Sequence, residues 1–163
     1  MQNILLCALG IMVILSLSGG IRALAQMDRM PALKSTDKTG CYLTDGSFTG
    51  PTIVLAAGLY HEPEFPKEKA IKIIRVALSS GCNIEDPDEV GSTPLVAAIL
   101  YNEPDLAKIL LDSGANPYFK ISSTKKYLDG LDAFQILEFL IINQKSKNRS
   151  DLQRLLDQYK KKA

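Results

Sequence analysis

Residues Asp88–Lys120 read DEVGSTPLVAAILYNEPDLAKILLDSGANPYFK, and the signals for two helices can be taken from this stretch alone. Thr93 is placed to cap a helix that starts at Pro94, where the missing proline N–H costs nothing. Leu95, Ala98 and Ile99 recur at helical spacing behind it. Pro104-Asp105 opens a second helix with an acidic first turn, and Leu106, Ile109 and Leu110 give it an apolar face. Gly114 supplies the stop, because glycine takes the left-handed conformation after a helix cheaply.

The order Asp88-x-x-Gly91-x-Thr93-Pro94-Leu95, then Ala97-Ala98, then Leu110-Leu111-Asp112-Ser113-Gly114-Ala115-Asn116-Pro117 falls within a stretch, Asp88–Lys120, of 33 residues. That is the ankyrin period, and the stretch resembles the ankyrin-repeat family. The resemblance implies an all-α repeat solenoid of helix–turn–helix units joined by β-hairpin fingers. Upstream, Thr52–Pro63 aligns with Thr93–Pro104 at an offset of 41, whereas the helix Ile71–Ser80 aligns with Pro104–Ser113 at an offset of 33. The difference is an eight-residue insertion around Glu64–Lys69. Downstream, Gly130–Leu137 with Asp132 as cap and Asp151–Leu156 form a degenerate last unit separated by the polar loop Asn143–Arg149. The reading is therefore about three repeats (units 45–86, 87–127 and 128–163), the last with a polar outer face because nothing stacks beyond it. Residues 26–39 read as a linker, and Gly40–Thr49 as an N-terminal half-finger.

Ile4–Leu17 is an apolar run too short to span a bilayer. With Ala23-Leu24-Ala25 behind it, residues 1–25 read as a signal peptide cleaved after Ala25, and the mature protein as periplasmic. Met1-Gln2-Asn3 carries no basic residue while Arg22 follows the core, so a retained anchor stays open as the alternative. Export leaves Cys41 and Cys82 in a disulfide-permissive compartment. Each follows a glycine and precedes the next unit's glycine by nine residues. Equivalent positions in neighbouring repeats lie about 8–10 Å apart, beyond the roughly 7 Å limit of a disulfide. Two buried free thiols are expected.

The composition, 46% hydrophobic and 23% charged with a net charge of +1, is that of a globular protein with no overall pull toward nucleic acid or membrane. The charge is unevenly spread: Gln26–Leu100 holds 7 basic and 10 acidic residues, and Tyr101–Ala163 holds 11 basic and 8 acidic. No phosphate loop, paired CxxC or dinucleotide fingerprint is present, and no cofactor or metal is expected. His61 is the single histidine. With Glu62 and Glu64 it offers at most a poor metal site, since zinc wants three or four converging ligands. Glu85, Asp86, Asp88 and Glu89 cluster at a finger tip, either as solvated charge or as a dock for a basic partner. Their spacing is not that of a calcium loop.

The reading is accordingly of a non-enzyme. Ankyrin arrays bind proteins through finger tips and first helices, and the resemblance carries those positions here to Phe48, Pro51, Leu59 and Tyr60. In the next unit they are Glu89, Val90, Ser92, Leu100 and Tyr101, and in the last Leu131 and Phe139. Contiguous apolar and aromatic surface of this kind marks an interaction site. Small exported ankyrin proteins look like immunity partners of type VI secretion effectors, including lipases and phospholipases, so the expected partner is a toxic enzyme blocked by binding. The alternative is a resident periplasmic enzyme, such as a catalase, held by a stabiliser. Nucleic acid and small-molecule substrates are not expected.

Overall fold

Two aspartates turn the chain at the start of the described structure, a computed structural model covering residues 33–160. Asp37 Oδ1 accepts from the backbone N–H groups of Thr39 and Gly40 at 3.0 and 2.7 Å. Asp45 Oδ1 does the same for Ser47 and Phe48 at 2.9 and 2.8 Å. Such side-chain turns reverse the backbone without cost to its polar groups. They fold β1 (Lys34–Ser35), β2 (Tyr42–Thr44) and β3 (Thr49–Pro51) into an antiparallel sheet of order β1-β2-β3, with Leu43 opposite Gly50.

This sheet overturns the expected all-α repeat solenoid. Among the described residues the chain is a mixed α/β arrangement of six helices and one small three-stranded sheet. Part of the stretch read as linker, Lys34–Ser35, is its outer strand, and the supposed half-finger Gly40–Thr49 supplies the middle strand and the first residue of the third. The signal-peptide and cleavage readings lie outside the described residues.

The helices come as three pairs: α1 (Thr52–His61) with α2 (Lys67–Ser79), α3 (Pro94–Tyr101) with α4 (Pro104–Asp112), and α5 (Ala133–Asn143) with α6 (Ser150–Asp157). Within the unit from Lys34 onward, α1 packs on α2 and α3, α3 on α4 and α5, and α6 on α4 and α5. Helices α1 and α3 are buried almost all round, which fits sequences such as PLVAAILY that carry no charge. Ala57, Ala70, Ala98 and Ala107 are fully buried and let the helices approach closely, while Ile53, Ile74, Ile99, Leu106, Leu110, Ile136 and Leu152 fill the core. Truncating one of these isoleucines or leucines to alanine costs about 2–5 kcal/mol.

Local signals explain several helix ends. The Thr93 hydroxyl accepts from Val96 N at 3.4 Å, with Pro94 at the first helical position. Asp132 and Gln135 form a reciprocal capping box on α5. Gly114 follows α4 at φ +101°. Thr52 behaves differently from Thr93: it lies inside α1, and its hydroxyl donates to Gly40 O at 2.6 Å, tying helix to sheet. Helix α2 begins at Lys67 rather than Ile71, because the acidic and lysine-rich end of the insertion is itself good helix sequence.

Cys41 and Cys82 are joined in a disulfide, with Cα atoms 5.2 Å apart, which corrects the expectation of two thiols. The equivalence argument fails because Cys41 does not occupy a repeat position. The sheet draws it inward: Thr52 N donates to Cys41 O at 2.8 Å, beside the turn where Cys82 N bonds Ala77 O at 3.1 Å. The outer side of the last pair also departs from expectation. It is not polar throughout, since Ile141 and Ile142 stand exposed on it.

Candidate protein-binding surface

The turns within the three helix pairs lie side by side along one edge. His61, at the end of α1, stacks on Tyr101, at the end of α3, with ring centroids 4.5 Å apart and planes 12° from parallel. Glu103, in the turn before α4, lies 3.0 Å from His61 Nδ1 and accepts from Lys67 Nζ at 2.8 Å. Lys67 Nζ in turn sits 4.3 Å from the centre of the Tyr60 ring. Burial on its own would push the Glu103 carboxyl up, but the hydrogen bonds from Lys67 and His61 outweigh it and hold the group below its ordinary value. The same bond raises Lys67, against a smaller opposing effect of burial. Tyr60 is raised chiefly by burial.

Farther along, the edge is fixed by an arginine that the sequence did not mark. Arg149 is 3% exposed and reaches back to the third helix, donating to Ile99 O at 2.5 Å and to Leu100 O at 3.3 Å. It also donates to Gln144 Oε1 at 2.9 Å, and Asn102 Nδ2 donates to Asn148 O at 3.0 Å. Arg149 thus caps α3 with its side chain, adding to the bond that Ile99 O accepts from Asn102 N at 3.1 Å and serving the Leu100 carbonyl as well. Burial lowers its pKa. In the sequence it is one more cation in a basic loop, and no spacing rule separates it from Lys145 or Lys147.

Opposite this edge the connecting loops stack on one another. Asp88 Oδ1 binds the N–H groups of Val90 and Ser92 at 3.0 and 2.8 Å and shapes the tip that contains Gly91. Ser123 Oγ donates to Val90 O at 2.8 Å, and Gly91 lies against the Ser122 carbonyl. The third loop then closes on itself through Gly130 N to Ile121 O and Ile121 N to Leu131 O. Tyr127, which the sequence reading passed over, projects from it at 57% exposure and stacks on Phe139 with centroids 5.6 Å apart.

The residues expected to contact a partner do not all reach the surface. Tyr60 is only 3% exposed, and Pro51 and Ser92 are buried as well. Tyr60 is covered because Lys67, brought forward by the early start of α2, lies across its ring. Phe48, Leu59, Val90, Leu100, Leu131 and Phe139 are half-buried. Glu89 and Tyr101 are exposed, Tyr101 to 41%. The structure therefore leaves two aromatic pairs at the surface, His61 with Tyr101 on the edge of helix turns and Tyr127 with Phe139 on the loop side.

The acidic cluster is largely spent on internal bonds. Glu85 accepts from Asn116 N at 2.6 Å, though burial still raises its carboxyl above the ordinary value. Asp86 accepts from the Tyr42 hydroxyl at 3.2 Å and from Asn83 at 2.7 Å. With Asp88 shaping its own loop, Glu89 alone projects freely enough to meet a basic partner. Among the described residues no group of three or more His, Cys, Asp or Glu could hold a metal ion. No helix among them is long and apolar enough to cross a membrane.

Comparison with known protein families, with curated proteins and with solved structures returned no match to this chain.

Proposed function

We propose that this protein is a binding module that acts on another protein through the edge where Tyr101 stacks on His61. The observation that carries the reading is Tyr101, an exposed ring already held in place by stacking on His61. An aromatic side chain fixed before contact loses little rotamer freedom on binding, which is what makes such residues effective anchors. The order of signals in Asp88–Lys120 supports kinship with ankyrin-type binding modules. In the specific form of the proposal, the protein is exported to the periplasm and blocks a toxic effector enzyme such as a lipase or phospholipase. A Cys41–Cys82 bridge suits that setting, since disulfides persist in oxidising compartments. The second reading, a stabiliser of a resident periplasmic enzyme, uses the same surface.

The two readings separate in a growth experiment. Deleting an immunity gene harms the cell only when the cognate toxin is made, and re-expression of wild type protects whereas Tyr101→Asp does not. Deleting a stabiliser lowers the level or heat resistance of a housekeeping enzyme regardless of any toxin. If Tyr101→Asp folds normally and complements as fully as wild type in both settings, the proposed surface is wrong. Tyr60→Asp is unsuitable for this purpose, because burying a carboxylate under α2 would unfold the protein.

A further inference from the structure

His61 commits one ring nitrogen to the fold and leaves the other uncommitted. Its Nδ1 lies 3.0 Å from Glu103 Oε1, while Lys67 Nζ donates to the second oxygen, Oε2, at 2.8 Å. Nε2 makes no hydrogen bond among the described residues, and the side chain is 42% exposed. Burial raises Glu103, but the bonds from Lys67 and His61 outweigh it, so the group is a carboxylate wherever an imidazole titrates. An ionised carboxylate only accepts hydrogen bonds. The proton between the two groups therefore sits on Nδ1, in the neutral ring as in the charged one. With Nδ1 fixed as donor, the ring has to gain and lose its proton at Nε2.

The surroundings leave His61 as the member of this cluster that changes charge between about pH 5 and pH 8. Lys67, raised by its bond to Glu103, stays a cation there, and Tyr60, raised chiefly by burial, stays neutral. Asp105 acts on both of these and Glu68 on Tyr60. Tyr101 offers His61 the face of its ring. Glu62 and Glu64, which follow in the same turn, make no ion pair with it.

We infer that His61 is a proton-operated switch in this edge, its Nε2 a hydrogen-bond acceptor when the ring is neutral and a charged donor when the ring is protonated. The proton comes from solvent at the exposed side chain. It turns the bond to Glu103 into an ion pair and the stack on Tyr101, at 4.5 Å between centroids, into a cation–π contact. Both changes hold the Tyr101 ring more firmly, and an anchor fixed in advance binds at a lower entropic cost. The same proton lets Nε2 donate to a carboxylate or carbonyl oxygen of a partner. Binding through this edge therefore strengthens as pH falls, a consequence that rests on the proposal that Tyr101 is the anchor.

The first part of the test needs no partner. Long-range proton–nitrogen spectra of the untagged, nitrogen-15-labelled full chain follow the two ring nitrogens of His61, the single histidine of the sequence. In mild base Nδ1 should be the protonated nitrogen, the less common tautomer of a free histidine, and acidification should shift Nε2 most. The Tyr101 ring signals should move with the same midpoint, and Glu103→Ala should return the neutral ring to the common tautomer. A neutral wild-type ring protonated on Nε2, or a Tyr101 ring that ignores the titration, overturns the inference. For binding, immobilised wild type, His61→Gln and Tyr101→Asp are incubated with extract of the native organism at about pH 5.5 and about pH 7.5, either side of the ordinary histidine value. The readout is the protein that wild type retains and Tyr101→Asp loses. Wild type should retain several-fold more of it at the lower pH, and His61→Gln should retain the same at both. Equal or weaker retention by wild type in acid, or an undiminished dependence in His61→Gln, overturns the switch. If Tyr101→Asp loses nothing at either pH, the binding proposal fails, while the spectra of the isolated protein still decide whether His61 switches.

Discussion

Removing the Cys41–Cys82 bridge gives the sharpest stability prediction. The bond joins residues 41 apart in sequence and ties the sheet to the turn after α2. In the chain-entropy account, closing a loop of that length removes about 13 cal/mol/K from the unfolded ensemble, or about 4 kcal/mol at 25 °C. For a folded unit of this size the unfolding entropy is about 0.27 kcal/mol/K, so the loss corresponds to a fall in Tm of about 15 °C. The variant is Cys41→Ser/Cys82→Ser, followed by thermal and urea unfolding beside wild type, each with and without reductant. Wild type should drop toward the variant when reduced, and the variant should not respond. A variant within about 2 °C of oxidised wild type would refute the reasoning, because it would mean that the loop is already closed in the unfolded state by other contacts. Two titratable thiols in denatured, unreduced protein from an oxidising compartment would refute the bond itself.

Three further outcomes are expected. Gly91→Ala should destabilise by about 3 kcal/mol or more, since φ is +87° and an added Cβ would lie 2.0 Å from the Ser122 carbonyl oxygen; urea unfolding reads it. Arg149→Met keeps the apolar stem but removes the guanidinium bonds to the Ile99 and Leu100 carbonyls, at a cost of about 1.5–3 kcal/mol, and faster amide exchange near the end of α3 should localise the loss. The third concerns pH. Glu103 is held below its ordinary value, so its contribution is fully present above the unfolded value of about 4.3 and fades as pH falls through the lower folded value. The stability gap between wild type and Glu103→Gln should therefore narrow on acidification across that window, and a gap independent of pH would count against the His61–Glu103–Lys67 network.

Much of the helical part was legible because its signals are local. Thr93-Pro94, Pro104-Asp105, Asp132 with Gln135, and Gly114 each act within one turn of chain, and the structure uses each of them where the residues stand. The sheet was not legible through the repeat pattern, which has no place for it. Its signal was nevertheless present in Asp37-Lys38-Thr39-Gly40 and Asp45-Gly46-Ser47, two runs whose aspartates bend the chain by binding the backbone just ahead. Once the sheet forms, Cys41 leaves its apparent repeat position, and a distance argument based on equivalence no longer applies.

The candidate surface was partly legible. Tyr101 and Phe139 could be named from their place in the pattern, but Tyr60 could not be separated from Tyr101, to which it aligns. What distinguishes them is Lys67, seven residues of sequence away from the first and packed over it because α2 starts early. Tyr127 and Arg149 sit in irregular loops where periodicity carries no information about direction. Their roles emerge only from contacts made across the fold, to Phe139 in one case and to the end of α3 in the other.

The central claim, that this protein binds another through the edge carrying Tyr101, is tested most directly by site-specific photo-crosslinking in the native organism. A photoreactive residue replaces either Tyr101 or Val76, which is similarly exposed at 56% but lies near the far end of α2. The account predicts that position 101 captures one defined protein, identified by mass spectrometry as an effector enzyme or a resident periplasmic enzyme, and that position 76 does not. Capture at position 76 alone, or equally at both positions, would contradict it.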